Sequence, residues 1–120
     1  MPWFKVDDNL AFHAKTVAAG NAAMGLWVRA GSWAANGLTD GFVPDHMIPA
    51  LGTAAQAKRL TEVRLWHREA GGFRFHEWNQ DGRQPTREEV ERRRAEDRTR
   101  KAEARAAKAA QIRSETRKPA

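Results

Sequence analysis

With 120 residues the chain has room for one domain and an appendage, and its five Trp and five Phe are enough to fill a core. The absence of Cys excludes disulfides, thiolate metal sites and a Cys nucleophile. Residues 1–82 hold eight Lys/Arg and eight Asp/Glu, whereas residues 83–120 hold thirteen against seven, so the whole net charge of +6 belongs to the C-terminal segment.

The first residues, up to Asp8, lack the apolar region of a secretory leader, and no apolar run approaches membrane-spanning length. A soluble, cytoplasmic protein without a membrane partner is expected. Asp7 and Asp8 form a carboxylate pair that reads as a helix cap rather than a Mg²⁺ site. Asn9 to Ala19 predicts a short helix with Leu10, Phe12 or His13, and Val17 on its apolar stripe, closed at Gly20 by a left-handed residue. Asn21 is the expected N-cap of a second helix over 22–35. There Met24, Trp27, Val28 and Ala34 fall near helical spacing, with Leu26 and Trp33 widening the face. So broad an apolar face implies a buried central helix, ended by Asn36 and Gly37.

Leu38 to Pro44 reads as a turn into a very short strand at Phe42 and Val43. A brief helix over 45–51 follows, with Asp45 in its first turn, Pro49 interrupting it and Gly52 closing it. Thr53 then caps a helix over 54–64, with Ala57, Leu60 and Val63 or Arg64 inward. Leu65–Glu69 and Phe73–Trp78 flank Ala70, Gly71 and Gly72, and these two runs predict a β-hairpin. Its register stays open. A two-residue turn puts Trp66 and Phe75 on one face, and a three-residue turn pairs Leu65 and His67 with Phe73 and Phe75.

All ten aromatics lie at or before Trp78, and past Pro85 the only larger aliphatics are Val90 and Ile112. Thr86 and Glu89 carry the spacing of a capping box, and no Gly or Pro recurs until Pro119. A helix from 87 to about 112 is expected, with acid-first i,i+4 pairs at Glu88/Arg92, Glu89/Arg93, Glu96/Arg100 and Asp97/Lys101. It has no apolar face wide enough to pack on a core. The expected division is a domain over 1–82 and a basic, Ala/Arg/Glu-rich helical tail over 83–120.

Helix, short strand, short helix, helix and two-stranded hairpin is the order of a winged helix-turn-helix, and Leu51-Gly52-Thr53 supplies the short, Gly-containing turn. The fold class is thus mainly α with a small β-hairpin and a long charged C-terminal helix. In such a domain the second helix of the pair enters the major groove of double-stranded DNA. Thr53, Gln56, Lys58 and Arg59 are the candidates there. Arg68 and Arg74, beside the hairpin tip, would lie on the phosphate backbone as a wing. Arg92, Arg93, Arg100 and Lys101 of the tail would add phosphate contacts, whose contribution falls as salt rises. A bland reading stands beside each: Lys58 and Arg59 as a solvated helix face, the domain as a protein-docking module, the tail as a spacer or oligomerisation arm.

Enzymatic readings find no support. His13, His46, His67 and His76 lack metal-site spacing, and phosphate-cradling or nucleophile-elbow motifs are missing. The Trp residues read as core or edge packing, and His76 as a hairpin packing residue. Neither a catalytic residue nor a metal or other cofactor is expected.

Several segments together carry a resemblance: Pro2 to Asp8, Gly25 to Val28 with Ala30 to Trp33, Leu38 to Asp45, Leu65-Trp66, Gly72-Phe73 with Phe75 to Trp78, and Gln84 to Arg87. They resemble small proteins of actinobacterial phages and prophages that look like the N-terminal winged-helix domains of replisome organisers and replication initiators. The resemblance covers about residues 2–90. It implies DNA binding in replication initiation or transcriptional control, with replication or transcription proteins as further partners. A homodimer is compatible with it. His13-Ala14-Lys15 stands where that family tends to show His-Pro-Lys. Many initiators continue into a helicase-recruiting domain, and this chain has only its charged tail. A transcriptional regulator and a protein-interaction adaptor are the competing expectations.

Overall fold

The computed structural model describes residues 3–80 and 83–117, apart from the side chain of Arg117. Met1, Pro2, Asp81 and Gly82 lie outside the described residues, and so does Pro119; the expected domain boundary and the first residue of the family resemblance fall among them. The described chain is mainly helical, with a small three-stranded antiparallel sheet and a long C-terminal helix.

The expected helix cap at Asp7 and Asp8 is not formed. The 3-10 turn at Leu10–Phe12 follows Asn9 without a side-chain cap bond, and the first long helix is capped by His13, which accepts from Lys15 N. Asp7 closes a turn before them: its Oδ1 accepts from Asn9 N at 2.8 Å, and its carbonyl accepts from Leu10 N. Helix α1 runs Ala14–Gly37 and is interrupted at Gly20, whose φ of 83° and ψ of 164° suit a residue without a Cβ. Gly20 alone breaks the helix, so Asn21 is already helical and is not the N-cap that was expected. The end of α1 is closed by Leu38 in the left-handed region, with Thr39 N reaching back to Ala34 O.

Strand β1, Phe42–Pro44, leads into a 3-10 turn, Asp45–Met47, and the one-turn helix α2, Ile48–Leu51. Pro49 does not interrupt this helix. It sits in the first turn, where its missing N–H leaves no hydrogen bond unmade. Helix α3 spans Ala54–Glu62 and stops short of the expected Arg64, which is left-handed at φ 64° while Leu65 N bonds back to Leu60 O.

Strands β2, Trp66–Glu69, and β3, Gly72–Phe75, form the predicted hairpin, and Glu69 opposite Gly72 makes Ala70-Gly71 a two-residue turn. That settles the register: Trp66 faces Phe75. Strand β1 joins the free edge of β3, giving the sheet order β1-β3-β2.

The core lies between α1, α2, α3 and the sheet. Its inner stripe on α1 is Ala19, Ala23, Leu26, Ala30 and Ala34, spaced three and four apart. This corrects the expected stripe. Small side chains take the line of closest approach, Met24, Trp27 and Trp33 pack at its borders, and Val28 is largely exposed. Gly31 extends the same logic: a Cβ there would run into the ring of Phe4, which stacks on Trp78 and meets Trp27 at a tilt. Trp66, Leu60 and Val43 are fully enclosed, each such side chain contributing roughly 1.5–3 kcal/mol. Trp3 and Phe12, by contrast, remain 80% and 86% exposed, so not every aromatic builds the core.

Two compact units divide the chain, Met1–Arg87 and Glu88–Ala120. The residues just before Glu88 are tied into the first unit. Buried Gln84 exchanges hydrogen bonds with both Lys5 N and Lys5 O, and Arg87 N donates to Asp40 Oδ1. Helix α4, Arg87–Arg117, places Thr86 at its N-cap position and extends past the expected residue 112. From Glu91 to Thr116 nearly every residue is exposed. No described helix is long and apolar enough to cross a membrane.

Candidate nucleic-acid interface

The α2–α3 turn is held from behind. Arg29 of α1 donates from Nη1 to Leu51 O at 3.1 Å and from Nη2 to Ala50 O at 3.3 Å, satisfying carbonyls that a one-turn helix leaves open. On the far side of Gly52, Thr53 and Gln56 form a reciprocal capping box. Thr53 Oγ1 accepts from Gln56 N at 3.2 Å, and Gln56 Oε1 accepts from Thr53 N at 2.9 Å. Gln56, expected as a base reader, is therefore occupied in starting α3. The T-x-x-Q spacing was available in the sequence and is the same signal read at Thr86 and Glu89.

Arg59 is also committed. Its Nε and Nη2 donate to Ala18 O at 3.1 and 2.5 Å, just before the Gly20 break in α1, and Nη1 pairs with Glu62 Oε2 at 3.4 Å. Lys15 returns the favour to α3 by donating from Nζ to Arg64 O at 3.2 Å. Among the expected α3 readers only the side chain of Lys58 is exposed and without a hydrogen bond or ion pair. Its exposed neighbours on α3 are Ala54, Ala55, Arg59 and Glu62.

The hairpin arginines face carboxylates. Arg68 makes a two-pronged pair with Asp45, at 2.5 Å (Nη1–Oδ1) and 3.0 Å (Nη2–Oδ2), and its guanidinium lies 4.7 Å from the Phe73 ring centre. Arg74 pairs with Glu69 at 2.5 Å (Nε–Oε2) and 3.1 Å (Nη2–Oε1), and donates from Nη1 to Asp40 O at 2.9 Å. The hydrogen bonds from Arg68 and Arg74 hold the Asp45 and Glu69 carboxyls below the usual carboxylate range, so both pairs are fully ionised at neutral pH. The hairpin as folded presents paired charge at Arg68 and Arg74, not a free cationic edge.

The hairpin register also brings His67 and His76 together, with Nε2 and Nδ1 2.5 Å apart and His76 Nε2 3.0 Å from Glu77 Oε1. Sequence reasoning took His76 as packing and left this pair unseen, because a diagonal contact becomes visible only once the register is known.

On α4 the expected candidates divide. Arg92 pairs with Glu96 at 3.9 Å, a base-first pair, while Arg100 and Lys101 both reach Asp97, Lys101 at 3.0 Å. Hydrogen bonds from Lys101 and then Arg100 hold the Asp97 carboxyl low. The expected Asp97/Lys101 pair is thus present, whereas Arg100 turns to Asp97 and not to Glu96. Among the described residues, Arg93 forms no ion pair, and neither do Arg94, Arg98, Arg105, Lys108 and Arg113, which are not among the candidates expected from the sequence. The two units therefore use cations differently. In the first, Lys15, Arg29, Arg59, Arg68 and Arg74 hold the fold together; in α4 most remain open to solvent.

Compared with known proteins, the chain matches no family model, no curated protein and no solved structure.

Proposed function

We propose that the chain is a winged helix-turn-helix protein that binds double-stranded DNA without catalysing a reaction, with α4 supplying most of the affinity and α3 a minor share. The observation that carries this reading is the distribution of unpaired cations. Among the described residues, Lys58 is the cation of α3 without a partner, and a series of unpaired Arg and Lys side chains runs along α4, which past Val90 builds no core. The short α2–Gly52–Thr53–α3 turn and the β1-β3-β2 sheet behind it support the winged helix-turn-helix assignment. Cations of this kind neutralise phosphates and release counterions, which makes binding strongly salt-dependent. Replication initiation in a phage or prophage setting is the role this reading favours, on the strength of the motif resemblance, and transcriptional control is the alternative within DNA binding.

Titration of a labelled duplex with the intact chain tests the proposal. Log affinity should fall linearly with log salt, and Lys58→Ala should lower the slope by about 1 while weakening binding evenly across sequences. A chain that binds no duplex at low salt contradicts the proposal. One observation favours a second reading, a protein-interaction adaptor: Ala54, Ala55 and Glu62 give the outer face of α3 little base-reading chemistry. An adaptor would show no salt-dependent duplex binding.

A further inference from the structure

Helix α4 has no apolar face, but its charges are not scattered. At 3.6 residues per turn, Arg94, Arg98, Lys101, Arg105 and Lys108 follow spacings of four, three, four and three, and so fall within roughly 80° of one another around the axis. All five are exposed. Over the same stretch Glu96 and Glu103 project from the opposite side, and Asp97 sits at the flank, where it holds Lys101 and Arg100. Ile112 ends the row. The result is a cationic rail about 21 Å long, one charge every 5 Å or so, at 1.5 Å of rise per residue.

We infer that this rail is the nucleic-acid contact surface of α4, laid against the phosphates of a duplex, while the remaining tail cations stay in solvent. The inference rests on the DNA-binding reading given above and assigns its affinity to one face of one helix. A linear polyanion is the partner this surface fits. A membrane-surface helix needs an apolar face opposite its charges, and a coiled-coil partner needs an apolar stripe; between Glu91 and Gln111 this helix offers only Ala. Duplex DNA presents one negative charge per about 1.7 Å of axis, dense enough to engage every position of the rail. Three of the five side chains are Arg, whose planar fork grips phosphate oxygens two at a time. Arg92 and Arg100, which lie off the rail, are held by Glu96 and Asp97; of the rail itself only Lys101 is held, by Asp97 at the flank.

Two variants of the full chain with equal charge loss separate this surface from simple net charge. One carries Arg94→Gln, Arg98→Gln, Arg105→Gln and Lys108→Gln; the other carries Arg92→Gln, Arg93→Gln, Arg100→Gln and Arg113→Gln. Gln keeps the helix propensity of the residues it replaces, and circular dichroism checks that α4 stays formed in both. Duplex affinity is then measured by fluorescence anisotropy between about 50 and 200 mM salt. The rail variant should lose about 3–4 from the slope of log affinity against log salt, and the off-rail variant less than about 1. Equal losses in the two variants, with the parent still binding, overturn the rail and leave DNA binding by diffuse charge. A parent that binds no duplex at the lowest salt overturns the rail together with the reading it rests on, and so does a parent that binds anionic vesicles in preference to the duplex.

Discussion

The two units of this chain hold similar kinds of charged side chain and use them in opposite ways. In Met1–Arg87 the cations are tethers. Arg29 closes α2, Lys15 and Arg59 tie the end of α3 and the residues after it to the part of α1 before Gly20, and Arg68 and Arg74 brace the sheet against Asp45, Glu69 and Asp40. Past buried Val90, α4 has no core to brace, so acids pair with near neighbours on the same helix and most of its cations are left open. Counting Lys and Arg therefore does not locate an electrostatic surface. What matters is whether a cation already has a carbonyl or carboxylate in reach.

The sharpest way to break this comparison is through stability. Trp66→Ala removes a fully buried side chain of edge strand β2 from the core and should cost about 3–5 kcal/mol in chemical denaturation, enough to unfold much of a small domain. Ile112→Ala, on the half-exposed outer turn of α4, should change the same unfolding transition by less than about 0.5 kcal/mol. Comparable losses at the two sites would mean that α4 contributes to a core after all.

A smaller effect sharpens the distinction within α3 itself. Arg59→Ala removes two hydrogen bonds to Ala18 O and should lower stability by about 1 kcal/mol, since the guanidinium is partly solvated. Lys58→Ala, one residue earlier, should leave the melting temperature unchanged and act only on duplex binding. If Arg59→Ala melts like the parent yet loses DNA affinity as Lys58→Ala does, Arg59 is a reader and its bonds to α1 are incidental.

Much of the first unit was legible because its signals are local. Gly20, Thr53 and Gly71 each mark a boundary by backbone chemistry, and the structure puts a break, a cap and a turn at those places. The inner stripe of α1 was misread for a physical reason: hydrophobicity favours large residues, whereas close packing of α3 on α1 favours Ala, and only the spacing of Ala19, Ala23, Ala30 and Ala34 signals that preference. The site was less legible than the fold. Gln56 could have been recognised as a cap from its distance to Thr53. The partners of Arg59, Arg68 and Arg74 could not, because Ala18, Asp45 and Asp40 are distant in sequence and come near only through the packing of α1 and β1. The row on α4 is legible in the sequence from angular position around the helix, which i,i+4 pairing does not display.

Whether the first unit is held together by its cations while α4 offers its own to DNA is decided by comparing the intact chain with one ending at Arg87. Both are titrated against the same duplex across salt, and both are melted. The shortened chain should keep a cooperative melting transition, as expected of a unit with its own core, yet lose at least about 3 from its salt slope and with it most of its low-salt affinity. A shortened chain that binds the duplex with the affinity and slope of the parent would contradict the account, placing the DNA surface in the first unit and leaving α4 without a role in binding.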